Sequence, residues 1–296
     1  MRRIELPARL PELLGVSVET VTEIEGGWDY VVFEVNGAWI VRIPRRPEVR
    51  AWLLKETRLL PELAPTLPLP VPAFEVNHGD SALPFVAYRR IEGDPIDQLL
   101  ELPVDLREMG ERLGRFLASL HGFPAARAGE LTRTDRTTWM RELRLLRDEG
   151  EATVFPLLSP EERVRAQRMF DNFFESSASV EATLVHADLG PDHILCARDS
   201  VTGVIDWSDA CVGDPAIDFG WLLHSTPSVF VEGIRAGYGR DGRSVEALLD
   251  RSLFYHRVGP WHEVLYGVDQ QLRQLVERGL RGVRERLPSP PSRASR

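Results

Sequence analysis

The hydrophobic period of this chain changes once, near residue 95, and that change limits what it can fold into. Before it, apolar residues come in short β-branched and aromatic runs; after it, they recur every three or four positions. Tyr30–Val35 and Trp39–Ile43 are the clearest strands, and Asn36-Gly37 joins them. That dipeptide suits a two-residue hairpin because both positions tolerate positive φ. Pro47–Leu63 has helical spacing (Val49, Leu53, Leu54, Leu60), a proline-rich crossing covers Pro61–Pro72, and Ala82–Ile91 reads as another strand ended by Glu92-Gly93-Asp94-Pro95. Downstream, Leu106, Met109, Leu113, Phe116, Leu117 and Leu120 predict a core-facing helix. Thr137–Glu149 and Pro160–Phe174 predict two more, the second with Ser159 and Glu162 placed as a capping box. A strand–loop–strand–turn–strand stretch spans Ala182–Trp207, and helices follow to about Leu287.

These segments imply an α+β chain of two lobes. Residues 1–91 form a small antiparallel β-sheet lobe with one helix, and residues 92–287 a larger helical lobe. The hinge falls near residues 88–95, no internal repeat is visible, and residues 288–296 have the Pro/Ser-rich composition of a disordered tail. A cleft between two lobes is where a ligand sits.

Composition removes several function classes. Only one of the 36 basic residues is a lysine, Lys55; the other 35 are arginines. A Walker-type phosphate loop needs a glycine-framed Lys before Ser or Thr, whereas Lys55 lies in Leu53-Leu54-Lys55-Glu56-Thr57. The same charged, helix-like setting disfavours a Schiff-base lysine, which needs a pocket that lowers its pKa. A formal net charge of −9 argues against a nucleic-acid binder and suits a cationic small substrate. Cys196 and Cys211 supply neither a disulfide framework nor a four-ligand zinc site. No apolar run reaches the roughly 18 residues of a membrane span, and Met1-Arg2-Arg3-Ile4-Glu5 lacks a signal-peptide core. The expectation is a cytoplasmic monomer with no nucleic-acid or membrane partner.

Chemistry concentrates in Leu184-Val-His186-Ala-Asp188-Leu-Gly190-Pro-Asp192-His193-Ile-Leu-Cys196, followed by Val204-Ile-Asp206-Trp207. Each polar cluster abuts a short apolar run, so carboxylates and imidazoles are held on turns beside buried strands. Phosphoryl transfer needs a carboxylate to orient the attacking hydroxyl and accept its proton, and ligands that hold Mg²⁺ on the nucleotide phosphates. Asp188 as the catalytic carboxylate, with His193 and Asp206 as metal ligands, meets that requirement. The donor would be ATP or GTP.

The stretch resembles the catalytic loop of the aminoglycoside and macrolide phosphotransferases, members of the protein-kinase-like superfamily, whose general form is His-Gly-Asp-x4-Asn followed by Ile-Asp-Trp. Asp188 and Asp206 match the catalytic and metal-binding Asp; His193 stands at the usual Asn, as in macrolide phosphotransferases. Ala187 replaces the usual Gly, which predicts a locally different backbone. Gly203-Val-Ile-Asp206-Trp-Ser-Asp-Ala-Cys-Val-Gly213-Asp-Pro-Ala-Ile-Asp218-Phe continues the likeness, which covers about residues 20–270. It implies a Mg²⁺-dependent small-molecule kinase acting on an antibiotic hydroxyl, macrolide or aminoglycoside, and giving resistance by modification.

On the nucleotide side, Trp39, Val41 and Ile43 alternate onto one strand face, which turns Arg42 to the other with Ile40. With Lys55 excluded by position, Arg42 is the stand-in for the phosphate-clamping lysine, and Glu56 matches the helix Glu that holds it. Gly26 and Gly27 lie in the hairpin that would cover the phosphates. Tyr88, Arg89 and Ile91 match the hinge strand, whose backbone at 89–91 would pair with the purine edge.

On the acceptor side, Asp209, Asp214, Glu232, Glu263, Trp261 and Tyr266 are candidates, carboxylates for ammonium groups and aromatics for an apolar or dimethylamino face. Asp214 before Pro215 also fits a helix N-cap, and Trp261 also fits a core position. Three rivals stay open: a metabolic kinase for a sugar or amino alcohol, a metal hydrolase using His186, Asp188, Asp192 and His193, and a catalytically inactive nucleotide-binding module.

Overall fold

A computed structural model describes residues 6–24, 29–98, 100, 104–239 and 244–289. It begins with a short helix, α1 (Leu6–Leu14), so the first lobe has a second helix beside the one read from the sequence. Pro11 breaks up its helical signal, but Leu10 and Leu14, one turn apart, are buried against the sheet. Five antiparallel strands follow: β1 (Val21–Ile24), β2 (Tyr30–Val35), β3 (Trp39–Pro44), β4 (Phe74–Asn77) and β5 (Val86–Arg89), in the order β1-β2-β3-β5-β4. Asn36 turns the β2–β3 hairpin at φ 54°, and its Oδ1 accepts from the N–H groups of Glu19 and Thr20 at 2.8 and 3.1 Å. Helix α2 (Pro47–Leu63) lies between β3 and β4 in the chain and packs Val49 and Leu53 on Tyr30 and Val86. Val31, Phe33, Val41 and Ile43 face the opposite way, onto α1.

Beyond β5 the chain crosses at Gly93, where φ is 130° and a Cβ would fall 2.7 Å from the Cys196 carbonyl oxygen, so only glycine fits. A two-residue strand, β6 (Asp94–Pro95), then pairs with β8 of the second lobe, given below. That lobe holds α3 (Leu106–His121), α4 (Ala125–Thr132), α5 (Arg136–Thr153) and α6 (Pro160–Ser176), the last starting in a complete Ser159–Glu162 capping box. Strands β7 (Thr183–Val185), β8 (Ile194–Ala197), β9 (Ser200–Val204) and β10 (Cys211–Gly213) carry the chemistry-bearing loops. Helices α7 (Gly220–His224), α8 (Ser228–Tyr238), α9 (Leu249–Asp269) and α10 (Arg273–Arg286) complete it. Pro288, at the start of the Pro/Ser-rich tail, offers its carbonyl to Arg165 at 3.0 Å; residues 290–296 lie outside the described residues. None of the described helices is long and apolar enough to cross a membrane.

Helices α3 and α8 touch backbone to backbone. Gly110 and Gly114 on α3 oppose Gly233 and Gly237 on α8; a Cβ at Gly114 would fall 2.3 Å from the Ile234 carbonyl oxygen, and one at Gly233 2.1 Å from that of Arg107. In an ordinary helix Gly→Ala is stabilising by about 1 kcal/mol. Here overpacking outweighs that gain, so Gly114→Ala and Gly233→Ala should each destabilise by about 1–3 kcal/mol. Urea denaturation measures the sign.

Candidate active site

Between the sheet and the helical lobe lies a cavity of about 800 Å³. Its roof is β2 and β3, its back the 88–95 crossing, its floor the loops after β7 and β9, and one wall the middle of α9.

Strand parity puts Arg42 on the cavity side of β3. Its NH1 donates to Glu56 Oε2 at 2.7 Å, and its NH2 donates to Asp206 Oδ1 at 3.2 Å. Glu56 is wholly buried, one turn after Leu53 on the inner face of α2. Burial alone would lower the Arg42 pKa; the Glu56 and Asp206 carboxylates outweigh it, so the guanidinium stays charged.

The loop after β7 is held by groups far away in sequence. Asp218 is wholly buried and accepts from the backbone N–H of His186 (Oδ2, 3.0 Å) and of Ala187 (Oδ1, 2.8 Å). His121 at the end of α3 meets Asp218 Oδ2 at 3.0 Å with Nε2 and Tyr238 Oη of α8 at 3.0 Å with Nδ1. Ala187 sits at φ 71°, in the left-handed region where glycine is unstrained and alanine is not. Asp218 and the His186 ring hold it there. His186 is buried; its Nε2 donates to the Ile205 carbonyl at 3.0 Å, and its Nδ1 accepts from the Asp188 N–H at 3.4 Å. Both ring nitrogens are therefore used by the backbone, and burial keeps the imidazole neutral. A metal hydrolase reading that needs His186 as a ligand loses that ligand.

Asp188 itself is exposed to the cavity, its side chain 59% accessible. Nδ1 of His193 donates to the Asp188 carbonyl at 2.7 Å, which leaves Nε2 facing Asp192 Oδ2 at 3.6 Å and Asp206 Oδ2 at 3.8 Å. Asp206 adopts φ 61° and divides its carboxylate: Oδ1 to Arg42, Oδ2 toward His193. Burial would raise the Asp206 pKa, but Arg42 and His193 outweigh it and hold the carboxyl below its usual range.

Among the described residues no three His, Cys, Asp or Glu side chains form a ready metal cage. Mg²⁺ does not ask for one, since it takes one or two protein carboxylates and completes its shell with water and phosphate. Asp206 Oδ2 fits that pattern as the carboxylate. Burial would lower the His193 pKa, but the Asp206, Asp188 and Asp192 charges outweigh it and raise it, so Nε2 would have to give up a proton before it could join as a second, nitrogen ligand.

Residues 20–251 match the model of the phosphotransferase enzyme family. The chain belongs to that family. A viomycin phosphotransferase of Streptomyces vinaceus is 30% identical over 151 residues, 47% of this chain and 50% of that protein. The uncharacterized protein YcbJ of Bacillus subtilis (strain 168) is 29% identical over 232 residues, 72% of each chain. An aminoglycoside phosphotransferase solved with GDP and kanamycin superposes with a TM-score of 0.84 at 24% identity, over 96% of this chain and 98% of that one. The macrolide 2'-phosphotransferase MphH of Brachybacterium faecium gives 0.73 at 24% identity, over 97% and 99%. These structural likenesses establish the bilobal kinase-like fold.

Within this phosphotransferase frame the structure sorts the residues singled out in the sequence. Arg42, Tyr88, Ile91, Asp188, His193, Asp206 and Glu263 line the cavity, and Glu56 stands directly behind Arg42. Gly26 and Gly27 lie outside the described residues. The side chain of Arg89 turns away, stacking on Trp39 at 3.9 Å and donating to Glu75 Oε1 at 3.2 Å. At the crossing, the Arg90 N–H is taken by the Ala38 carbonyl at 2.9 Å, which extends the β3–β5 pairing by one residue.

Most of the acceptor candidates move elsewhere. Trp261 is wholly buried against Phe155 and Phe170 and is a packing residue. Asp214 is wholly buried, accepts from the Ala216 N–H at 3.0 Å, and accepts from Arg251 Nε and NH2 along one edge of the guanidinium at 2.7 and 3.2 Å. Glu232 pairs with Arg107 on the outer surface at 2.9 Å. Tyr266 is half-buried on α9 and is not part of the cavity lining. Asp209 faces solvent beside the catalytic loop.

Tyr30, Ser208 and His262 join the site without having been singled out for it. Parity gives a signal for Tyr30, which shares its face of β2 with Val32, the register partner of Arg42. A carboxylate inside the apolar run Ala216-Ile-Asp218-Phe is a signal for Asp218.

Asp209 carries a testable charge penalty. Although one face of Asp209 stays open to solvent, the protein packed around the rest of its carboxyl, then the Asp188 charge, pushes it from 3.8 up to about 6. The folded state thus holds this proton more tightly than the unfolded chain, and ionising it above that pH costs stability. In metal-free buffer Asp209→Asn should raise Tm at neutral pH, and the gain should close as the pH falls from about 6 to 3.8. Thermal melts of both proteins across that range give the difference curve.

Proposed function

We propose that this phosphotransferase moves the γ-phosphoryl group of ATP or GTP to a hydroxyl of a small molecule. The observation that carries the reading is convergence: an exposed carboxylate, a metal-competent Asp206–His193 pair and a buried Arg42–Glu56 clamp all meet in one cavity. Asp188 orients the acceptor hydroxyl and takes its proton. Arg42, held by Glu56, neutralises the donor phosphates, and the backbone of Arg89 and Ile91 takes the base. Asp206 and His193 would hold Mg²⁺, which would supply positive charge to offset that developing on the transferred phosphate.

For the acceptor we infer an antibiotic with cationic groups. Asp192, Glu263 and Asp94 line the cavity, where an aminated acceptor would find its counter-charges. The viomycin phosphotransferase relative and the neighbour solved with kanamycin support that class, and with it a role in resistance.

Nucleotide consumption with aminoglycosides, peptide antibiotics and macrolides tests the acceptor; turnover confined to sugars or amino alcohols would reassign it. Asp188→Asn should lower kcat by about 10²–10⁴-fold while the dissociation constant for Mg-nucleotide stays within about twofold. Undiminished turnover in that variant would remove the mechanism. Absence of turnover with every acceptor, with nucleotide still bound, would leave an inactive module.

A further inference from the structure

The buried side of Arg42 is more elaborate than a phosphate contact requires. An ammonium group held by one carboxylate suffices to place positive charge beside two phosphates. Here the guanidinium has four neighbours. Besides Glu56 and Asp206, NH2 donates to Ser208 Oγ at 3.2 Å, and the Cζ atom lies 4.0 Å from the centre of the Tyr30 ring. Ser208 Oγ donates onward to Glu56 Oε1 at 2.8 Å, and Tyr30 Oη donates to the same oxygen at 3.3 Å. Ser208 and Arg42 are each 5% exposed, Tyr30 4% and Glu56 0%. Arg42 reaches the cavity wall, whereas Ser208 does not.

The shape of this nest fits a planar fork. One end of the guanidinium serves Glu56, the other serves Asp206 and Ser208 together, and the flat face rests on an aromatic ring. Three N–H groups are spent on these described partners, which leaves two of the five. A lysine at position 42 offers a single nitrogen without a plane. It would leave the Ser208 oxygen without its cationic donor and the Tyr30 face bare.

We propose that Ser208 and Tyr30 form a cradle specific to arginine, fixing the guanidinium plane so that its remaining N–H groups face the nucleotide phosphates. The proposal rests on the phosphotransferase reading above. Ser208 is then a positioning residue: it touches no substrate and acts through Arg42 and Glu56. Because it lies two residues after Asp206 on the same loop, its hydroxyl also ties the clamp to the metal-binding carboxylate across the lobes.

Calorimetric titration of MgADP and of MgGDP into the full-length protein tests this. Ser208→Ala and Arg42→Lys should each weaken the nucleotide that wild type binds by about tenfold, about 1.4 kcal/mol. The double variant should be no weaker than Arg42→Lys alone, within about twofold, because lysine has no use for the hydroxyl. Ser208→Cys keeps the side-chain volume and should lose the same tenfold. Tyr30→Phe keeps the ring and should change affinity by less than about threefold, whereas Tyr30→Leu should cost about tenfold. Unchanged affinity in Ser208→Ala and Ser208→Cys, or losses that multiply to about a hundredfold in the double variant, would overturn the cradle and leave the phosphotransferase reading intact. Failure of the wild-type protein to bind either nucleotide would overturn both.

Discussion

A guanidinium taken out of water between two carboxylates sets the geometry on which the rest of this molecule depends. Arg42 comes from the sheet, Glu56 from α2 and Asp206 from the helical lobe, so one ion cluster fixes three elements at once. A buried charge is tolerated only when its partners are close and fully used. The second lobe supplies what keeps Glu56 there. Lys55 donates to the Ala210 carbonyl at 2.8 Å, Arg58 to the Leu131 carbonyl at 3.3 Å, and Glu62 pairs with Arg127 of α4. Leu59, Leu60 and Leu63 belong to the core of the helical lobe, whereas the outer face of the sheet has a separate core with α1. Helix α2 is thus mechanically part of the lower lobe.

The catalytic loop depends on a second buried carboxylate. Left-handed backbone at a non-glycine residue costs of order 1–3 kcal/mol and persists only where surroundings over-determine it. Ala187 and Asp206 both take it, and each is pinned: Ala187 by Asp218, Asp206 by Arg42 on one oxygen. Asp218 is in turn oriented by His121, and His121 by Tyr238, at the ends of the two helices whose glycines allow backbone contact. Close packing of α3 on α8 therefore has a consequence at Asp188, by way of three side chains and no contact with substrate.

Local patterning made much of this legible in the sequence. The Asn36-Gly37 hairpin, the capping box at Ser159, the parity that aims Arg42 away from Trp39 and Val41, and the spacing of Asp188, His193 and Asp206 are all properties of neighbouring residues. What stayed hidden depends on non-local approach. Helix α1 is masked by its proline, and β4 and β10 are too short to show a period. Asp214 and Trp261 take the cap and core positions their local sequence also allowed, whereas nothing near Glu232 in the chain announces its surface partner Arg107. Ser208 could be any turn serine until α2 is placed above it.

The charge balance acquires a location. Among the described residues, the cavity is lined by six carboxylates (Asp29, Asp94, Asp188, Asp192, Asp206, Glu263) and two guanidinium groups (Arg42, Arg90). Burial pushes Asp29 up against the pull of Arg46, and the Asp206 and Asp188 charges add to that push. Such a surface repels a bare polyphosphate, and Arg42 alone would not offset it. On the proposed reading the phosphates would enter with a divalent cation and the acceptor would bring positive charge of its own. Lys55, the single lysine, cannot help: its ammonium is half-buried on the far side of Glu56 and committed to Ala210, and burial lowers its pKa. Among the described residues lining the cavity, Arg42 is therefore the cation that the fold gives both a carboxylate to hold it and an aromatic face to keep it flat.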